Sequence, residues 1–198
     1  MGANKQIKTK ERVKDFGEVF TNKREIDAML DMISLEVSRI GSRILEPACG
    51  TGNFLVEILN RKLETIKEKA EGNQVRWEYY AFIAIANMYG IDIQEDNVRE
   101  CRERLLMIVR DEYDKLFNRY MYDFIKSIRY VLDRNIVWGN SLTGLMEDGS
   151  GPLVLSEWAY EKQNIIKKDY LFTDLVRDVH IPIREYERVN FKKVFTIE

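Results

Sequence analysis

From Ile26 onward the apolar residues fall at Met29, Leu30, Ile33, Val37 and Ile40, a spacing that lays one stripe along a helix. The pattern predicts a helix opened by Thr21, whose hydroxyl can accept from an orphan amide, and closed by Gly41. Arg43, Ile44, Leu45 and Glu46 then read as a short strand running into a turn that carries Gly50 and Gly52. Beyond the turn, Phe54, Leu55, Ile58, Leu59, Leu63 and Ile66 restore the helical period. Strand, glycine turn and helix in that order open a doubly wound α/β fold.

The same alternation continues. Residues 79–88 are apolar and predict a second helix covering the sheet, and residues 89–93 read as a second strand with Asp92 at its end. A long amphipathic helix follows, with Val98, Cys101, Leu105 and Ile108 on one face. Residues 122–132 predict another helix, residues 135–140 a third strand, and residues 152–155 a fourth. Past Tyr160 the pattern weakens, and only a helix near residues 169–179 is expected. Strands alternating with helices argue for a parallel sheet. With no internal repeat or low-complexity linker, residues 1–198 read as a single domain. It divides into a basic arm (1–24), a core (25–160) and a C-terminal extension (161–198) too short for a separate recognition domain.

Composition narrows the classes. The hydrophobic fraction of 45% is ordinary for a chain with a buried core, and no apolar run is long enough to span a membrane. The polar start is not a secretory signal, and Cys49 and Cys101 suggest no disulfide framework, so a cytoplasmic setting is expected. A net charge of −2 is low for a protein that grips DNA over its whole surface, but a local patch suffices. Lys5, Lys8, Lys10, Arg12, Lys14, Lys23 and Arg24 offer one, although a solvated arm is the simpler account of them. The single histidine, His180, reads as a surface residue, and no Cys/His cluster has ligand spacing, so no metal is expected.

Three positions carry candidate chemistry. Gly50 and Gly52 join a strand to a helix N-terminus, where free N–H groups favour an anion. The third glycine of a dinucleotide fingerprint is missing, because Leu55 occupies its place, and there is no Lys-Ser/Thr ending of a phosphate loop. Asp92 at a strand end can accept ribose hydroxyls, or serve as a helix cap or surface acid. Asn140 at the next strand end can pair with an adenine edge, or simply form a turn.

The run Leu45-Glu46-Pro47-Ala48-Cys49-Gly50-Thr51-Gly52-Asn53-Phe54-Leu55 closely resembles the cofactor motif of N(6)-adenine-specific DNA methyltransferases of restriction-modification systems. Phe16-Gly17-Glu18-Val19-Phe20-Thr21 resembles that family's cofactor-closing segment, Gly90-Ile91-Asp92-Ile93 its ribose-binding strand end, and Gly139-Asn140-Ser141-Leu142 its adenine-contacting turn. The resemblance, over residues of about 12–142, implies a Rossmann-like S-adenosylmethionine-dependent methyltransferase fold. Such a fold has a mostly parallel sheet with helices on both faces, here open to being incomplete at the C-terminal edge. It implies S-adenosyl-L-methionine as cofactor, with Phe20 in the closing segment and Thr21 and Ala48 near the cofactor carboxylate. Glu46 would face its ammonium, Gly50 and Gly52 would form the turn, and Asp92 would hold the ribose. Phe54 and Ile93 would give apolar contact near the adenine, and Asn140 would meet its amino group. Cys49 is expected as a packing residue.

The family's catalytic motif, Asn or Asp followed by Pro-Pro-aromatic, has no counterpart, since Pro47, Pro152 and Pro182 each stand alone. Glu157 and Tyr160 fall at the matching places after the fourth strand, with Trp158 and Ala159 for the prolines, and are the candidate catalytic pair. Asn22 also replaces the proline that usually follows the threonine. Three readings result: a DNA adenine methyltransferase working with a specificity partner; a non-catalytic cofactor-binding subunit needing a partner chain; and a methyltransferase for a substrate other than DNA.

Overall fold

The computed structural model describes Arg12, residues 21–119 and residues 122–198. Helix α1 (Lys23–Asp31) buries Ile26 and Leu30, and a short α2 (Ser34–Ser38) buries Val37. The predicted single helix is thus two, and its cap is Asn22, not Thr21: the Asn22 side chain accepts from the Glu25 amide. Strand β1 (Ile44–Glu46) leads through the glycine turn into α3 (Asn53–Ala70), which buries Leu55, Ile58, Leu59, Leu63 and Ile66, as the periodicity requires.

Helix α4 (Gln74–Ala86) ends before Met88, which begins β2 (Met88–Asp92). Helix α5 (Glu95–Phe117) buries Val98, Cys101 and Leu105. Helix α6 (Tyr122–Asn135) runs on through Asn135 to β3 (Ile136–Asn140). β1, β2 and β3 are parallel neighbours, with Glu46 opposite Gly90 and Asp92 opposite Trp138, while β4 (Leu145–Met146) adds antiparallel to β3. The sheet is therefore mixed, within an α/β architecture.

The rest departs from expectation. The predicted fourth parallel strand is β5 (Val154–Glu161), which pairs antiparallel with β6 (Asn164–Leu171) in a second sheet completed by β7 (Arg184–Glu185) and β8 (Val189–Asn190). The helix expected over residues 169–179 shrinks to α7 (Phe172–Val176), because its first part belongs to β6. A 3₁₀ helix (Phe191–Thr196) closes the fold.

Strand alternation separates two cores. On one sheet face, Met88 and Ile136 join the main cluster with Leu55, Leu59, Phe82 and Phe124 from the long helices. On the other, Ile91 and Val137 meet Leu153, Leu155 and Phe172. Long helices thus cover one face, and the hairpin region covers the other, in place of helices on both. Trp158 turns back to the helical side, edge-on to Phe82 and Tyr130, with its indole donating to Asn135. Among the described residues no helix is long and apolar enough to cross a membrane.

Candidate functional site

Glu46, Asp92 and Asn140 are the last residues of β1, β2 and β3, so three turns leave the same sheet edge side by side. The carboxyl ends of parallel strands are where open α/β sheets place ligands. A cavity of about 560 Å³ opens there, lined by Thr21, Glu46, Ala48, Gly50, Phe54, Asp92, Ile93 and Asn140, with neighbouring turn residues. Gly52 sits just behind it as the N-cap of α3. Phe20, and with it residues 16–20 of the closing segment, lies outside the described residues.

The glycine turn needs both of its glycines. Gly50 and Gly52 have φ of 53° and 85°. A Cβ on Gly52 would come within 2.5 Å of Cys101 Sγ. The turn leaves Asn53 and Phe54, in the first turn of α3, facing the cavity, where helix amides are unsatisfied and the helix dipole is positive.

Asp92 is 9% exposed and fixes the neighbouring turns. Its Oδ2 accepts from the Gly50 amide at 2.8 Å, and its Oδ1 accepts from the Gln94 amide at 2.9 Å and from Asn97 Nδ2 at 3.3 Å. A carboxylate offers about four lone-pair sites, so acceptor capacity remains on Oδ2. Asn140 also forms a turn: Oδ1 accepts from the Leu142 and Thr143 amides at 3.0 and 3.2 Å, which leaves the Nδ2 donor for the cavity. For Asp92 the structural and ligand-binding readings are therefore compatible, while Asn140, with Oδ1 engaged by two amides, offers a ligand a donor and not the acceptor that an adenine amino group would need. Burial pushes the Glu46 carboxyl above its ordinary range, against the opposing backbone hydrogen bond from Ala48. A partly desolvated carboxylate of this kind is improved by a cation placed against it.

Ile93 is 37% exposed at the rim, and its carbonyl accepts from the Trp138 indole at 3.0 Å. Cys49 is buried; contact with the Cys101 thiol, then burial, pushes its own thiol far above the usual range, which suits packing and not nucleophilic attack. Among the described residues no group of acids, cysteines and histidine could hold a metal ion.

The proposed catalytic pair lies elsewhere. Glu157 and Tyr160 are inside β5, opposite Lys168 and Ile165, and not in a turn after a strand. Glu157 pairs with Arg43 and lines a separate cavity of about 200 Å³ with Leu45, Tyr89 and Tyr170. The Tyr160 hydroxyl accepts from Asn87 Nδ2 at 2.7 Å. Neither lines the larger cavity. The reason is local: residues 156–160 alternate inward and outward, with Ser156 and Trp158 buried, and each pairs in register with a residue of β6, so the segment is strand and not turn.

Of the basic arm, Arg12 makes two contacts with Asp96, at 2.7 and 3.1 Å, in the first turn of α5, and Lys23 contacts Asp27 and Glu57. These two cations are matched by acids. Lys5, Lys8, Lys10 and Lys14 lie outside the described residues. His180 is exposed beside Asp178, as expected of a surface residue.

One arginine that the sequence reading passed over touches the turn. Arg104 Nη1 donates to the Thr51 carbonyl at 2.6 Å, to Thr51 Oγ1 at 3.2 Å and to Asn53 Oδ1 at 2.9 Å. Nothing in its sequence neighbourhood distinguishes it from the other arginines of α5; only its place on the stripe behind the glycine turn does.

Comparison with known proteins bears on the same stretch of chain. Residues 16–147 match the family described as MmeI, DNA-methyltransferase domain. A protein of Methanocaldococcus jannaschii described as a type II restriction enzyme and methyltransferase is 28% identical over 142 residues. The match covers 70% of this chain but only 11% of that relative. No solved structure matches. The cavity-lining residues all fall inside the matched segment, and the chain belongs to the MmeI DNA-methyltransferase domain family.

Proposed function

We propose that the cavity at the ends of β1, β2 and β3 binds S-adenosyl-L-methionine, and that the chain is the cofactor-binding part of a DNA adenine N(6)-methyltransferase of a restriction-modification system. The observation that carries this reading is the convergence of Glu46, the Gly50 turn, Asp92 and Asn140 on one cavity of about 560 Å³. The parallel run of β1, β2 and β3 is read as one half of a Rossmann-like methyltransferase sheet.

Each group has work to do there. The Asn53 and Phe54 amides and Thr21 meet the cofactor carboxylate, while the desolvated Glu46 meets its ammonium. The remaining Oδ2 capacity of Asp92 accepts from the ribose. Asn140 Nδ2 donates to an acceptor on the adenine edge, with Ile93 and Phe54 supplying apolar contact. The cofactor supplies the methyl group; the chain supplies orientation.

The placement of Glu157 and Tyr160 outside the cavity favours a particular form of this proposal. The acceptors for a target amino group come from a partner chain or from a segment other than β5, and the chain by itself holds cofactor without turning it over. DNA, with a specificity or catalytic partner protein, is the substrate side of this reading. Calorimetry with S-adenosyl-L-methionine, followed by transfer of labelled methyl to unmethylated bacterial DNA, tests both halves. Micromolar binding with no transfer is expected. Transfer yielding N(6)-methyladenine would restore a role to Glu157, and absence of binding would overturn the cofactor assignment.

A further inference from the structure

Asn97, Cys101 and Arg104 are spaced four and three residues apart on α5, so they share one face of that helix. All three touch the cofactor side of the sheet. Asn97 donates to Asp92, Cys101 Sγ fills the space beneath Gly52, and Arg104 spans the Thr51 carbonyl, the Thr51 hydroxyl and the Asn53 side chain. The last contact is unlike the others. Thr51 and Asn53 flank Gly52, the residue whose φ of 85° and missing Cβ make it the most permissive link in the turn. A turn built on two left-handed glycines lacks side chains to hold its own shape. Helix α5 is rigid, with Val98, Leu105 and Val109 buried, so a planar guanidinium fixed on it can hold the turn from behind.

We infer that Arg104 is a positioning residue for the cofactor: it touches no ligand, but it holds Thr51 and Asn53 so that the first amides of α3 point into the cavity. This rests on the cofactor reading of that cavity. The cost of ordering the turn is then met before the ligand arrives, which is how preorganisation raises affinity.

The test uses the full chain with Arg104→Met, which keeps the aliphatic stem and removes the donors, and Arg104→Lys, which keeps the charge but replaces the planar guanidinium with a compact ammonium on a shorter, more flexible stem. Three quantities are measured: S-adenosyl-L-methionine affinity by calorimetry, the melting temperature without ligand, and hydrogen exchange of the amides of residues 51–54. R104M should weaken binding about tenfold or more, the scale for losing a charged donor. R104K should fall between R104M and wild type. Exchange at residues 51–54 should quicken in R104M, with little change in melting temperature. A merely structural arginine would lower the melting temperature and leave affinity, measured well below the melt, at its wild-type value; that result overturns the inference. Wild-type affinity together with unchanged exchange also overturns it. If the wild-type chain binds no S-adenosyl-L-methionine, the cofactor reading fails, and with it the positioning role. Exchange at residues 51–54 would then show separately whether Arg104 still clamps the turn.

Discussion

Asp92 and Asp169 are both 9% exposed, yet they belong to different kinds of place. Asp169, on β6, is answered from within the fold. Lys167 Nζ reaches it at 2.8 Å, the Ser156 hydroxyl at 2.6 Å and the Tyr186 hydroxyl at 2.7 Å, and the Lys167 ammonium also lies 3.9 Å from the Tyr186 ring centroid. Burial alone would push the Asp169 carboxyl up, but these hydrogen bonds hold it below the ordinary aspartate range. Asp92, at the end of β2, is met by two backbone amides and the Asn97 side-chain amide, and among the described residues no cation pairs with it. It also faces a cavity of about 560 Å³. Burial of an acid therefore does not mark a site. What marks it is how the charge is compensated: completely and internally at Asp169, by neutral donors beside open space at Asp92.

The comparison is broken most severely by Asp169→Ala, which leaves Lys167 buried and unpaired. It should destabilise the chain by about 3–5 kcal/mol in chemical denaturation while leaving cofactor affinity in the surviving folded fraction unchanged. Loss of affinity without loss of stability would mean that the hairpin contributes to the cavity after all.

Lys62 supplies a third kind of compensation. It is fully buried, and its ammonium donates to the carbonyls of Ile40 and Ser42 at 3.1 and 2.8 Å, with no acid paired to it among the described residues. Burial, then the nearby Arg39 charge, lowers its pKa to about 8. The unfolded chain therefore binds more protons than the folded one between pH 8 and the ordinary lysine value. Stability should rise with pH across that window, by about 3 kcal/mol in all, as the folded ammonium is relieved of its charge. Lys62→Met should remove that rise, seen as the difference between wild-type and variant urea midpoints from pH 7.5 to 10.5. Parallel curves would show that Lys62 is not the source.

At Asp92 the effect reaches binding as well as stability, since its carboxylate also holds the Gly50 and Gln94 amides. Asp92→Ala should weaken S-adenosyl-L-methionine binding by about 1–3 kcal/mol, the scale for losing a charged acceptor. Calorimetry returning the wild-type value would remove Asp92 from the site.

The smallest effect is expected at Glu157→Gln. Its pair with Arg43 joins side chains that are 28% and 62% exposed, so stability should change by less than about 1 kcal/mol. Cofactor affinity should not change, and methyl transfer reconstituted with a partner should not either. A large loss of transfer would return Glu157 to the chemistry.

The two regions also differ in how plainly the sequence announces them. In α3 every buried position except Lys62 is apolar, so the helical period stands out and the glycine turn before it is unmistakable. In β6 the inward positions include Lys167 and Asp169, charged residues sitting where a period-two apolar signal should be. The strand is therefore hidden, and the acid and aromatic residues around it suggest a helix instead. The family's spacing places Glu157 and Tyr160 just after a strand. Their place within β5 follows from pairing with β6, a partner that the sequence conceals for the same reason.

What the sequence by itself determined is local. The strand–turn–helix at Gly50, the order of Glu46, Asp92 and Asn140, and the amphipathic helices follow from backbone preference and periodicity, which act over a few residues at a time. Only the tertiary structure decided which charges answer each other. Lys167 with Asp169, Lys62 with two carbonyls, and Arg104 with the turn more than fifty residues before it all depend on which surfaces meet. Electrostatic compensation in a buried setting is a property of distance and dielectric in space, and no pattern along the chain encodes it.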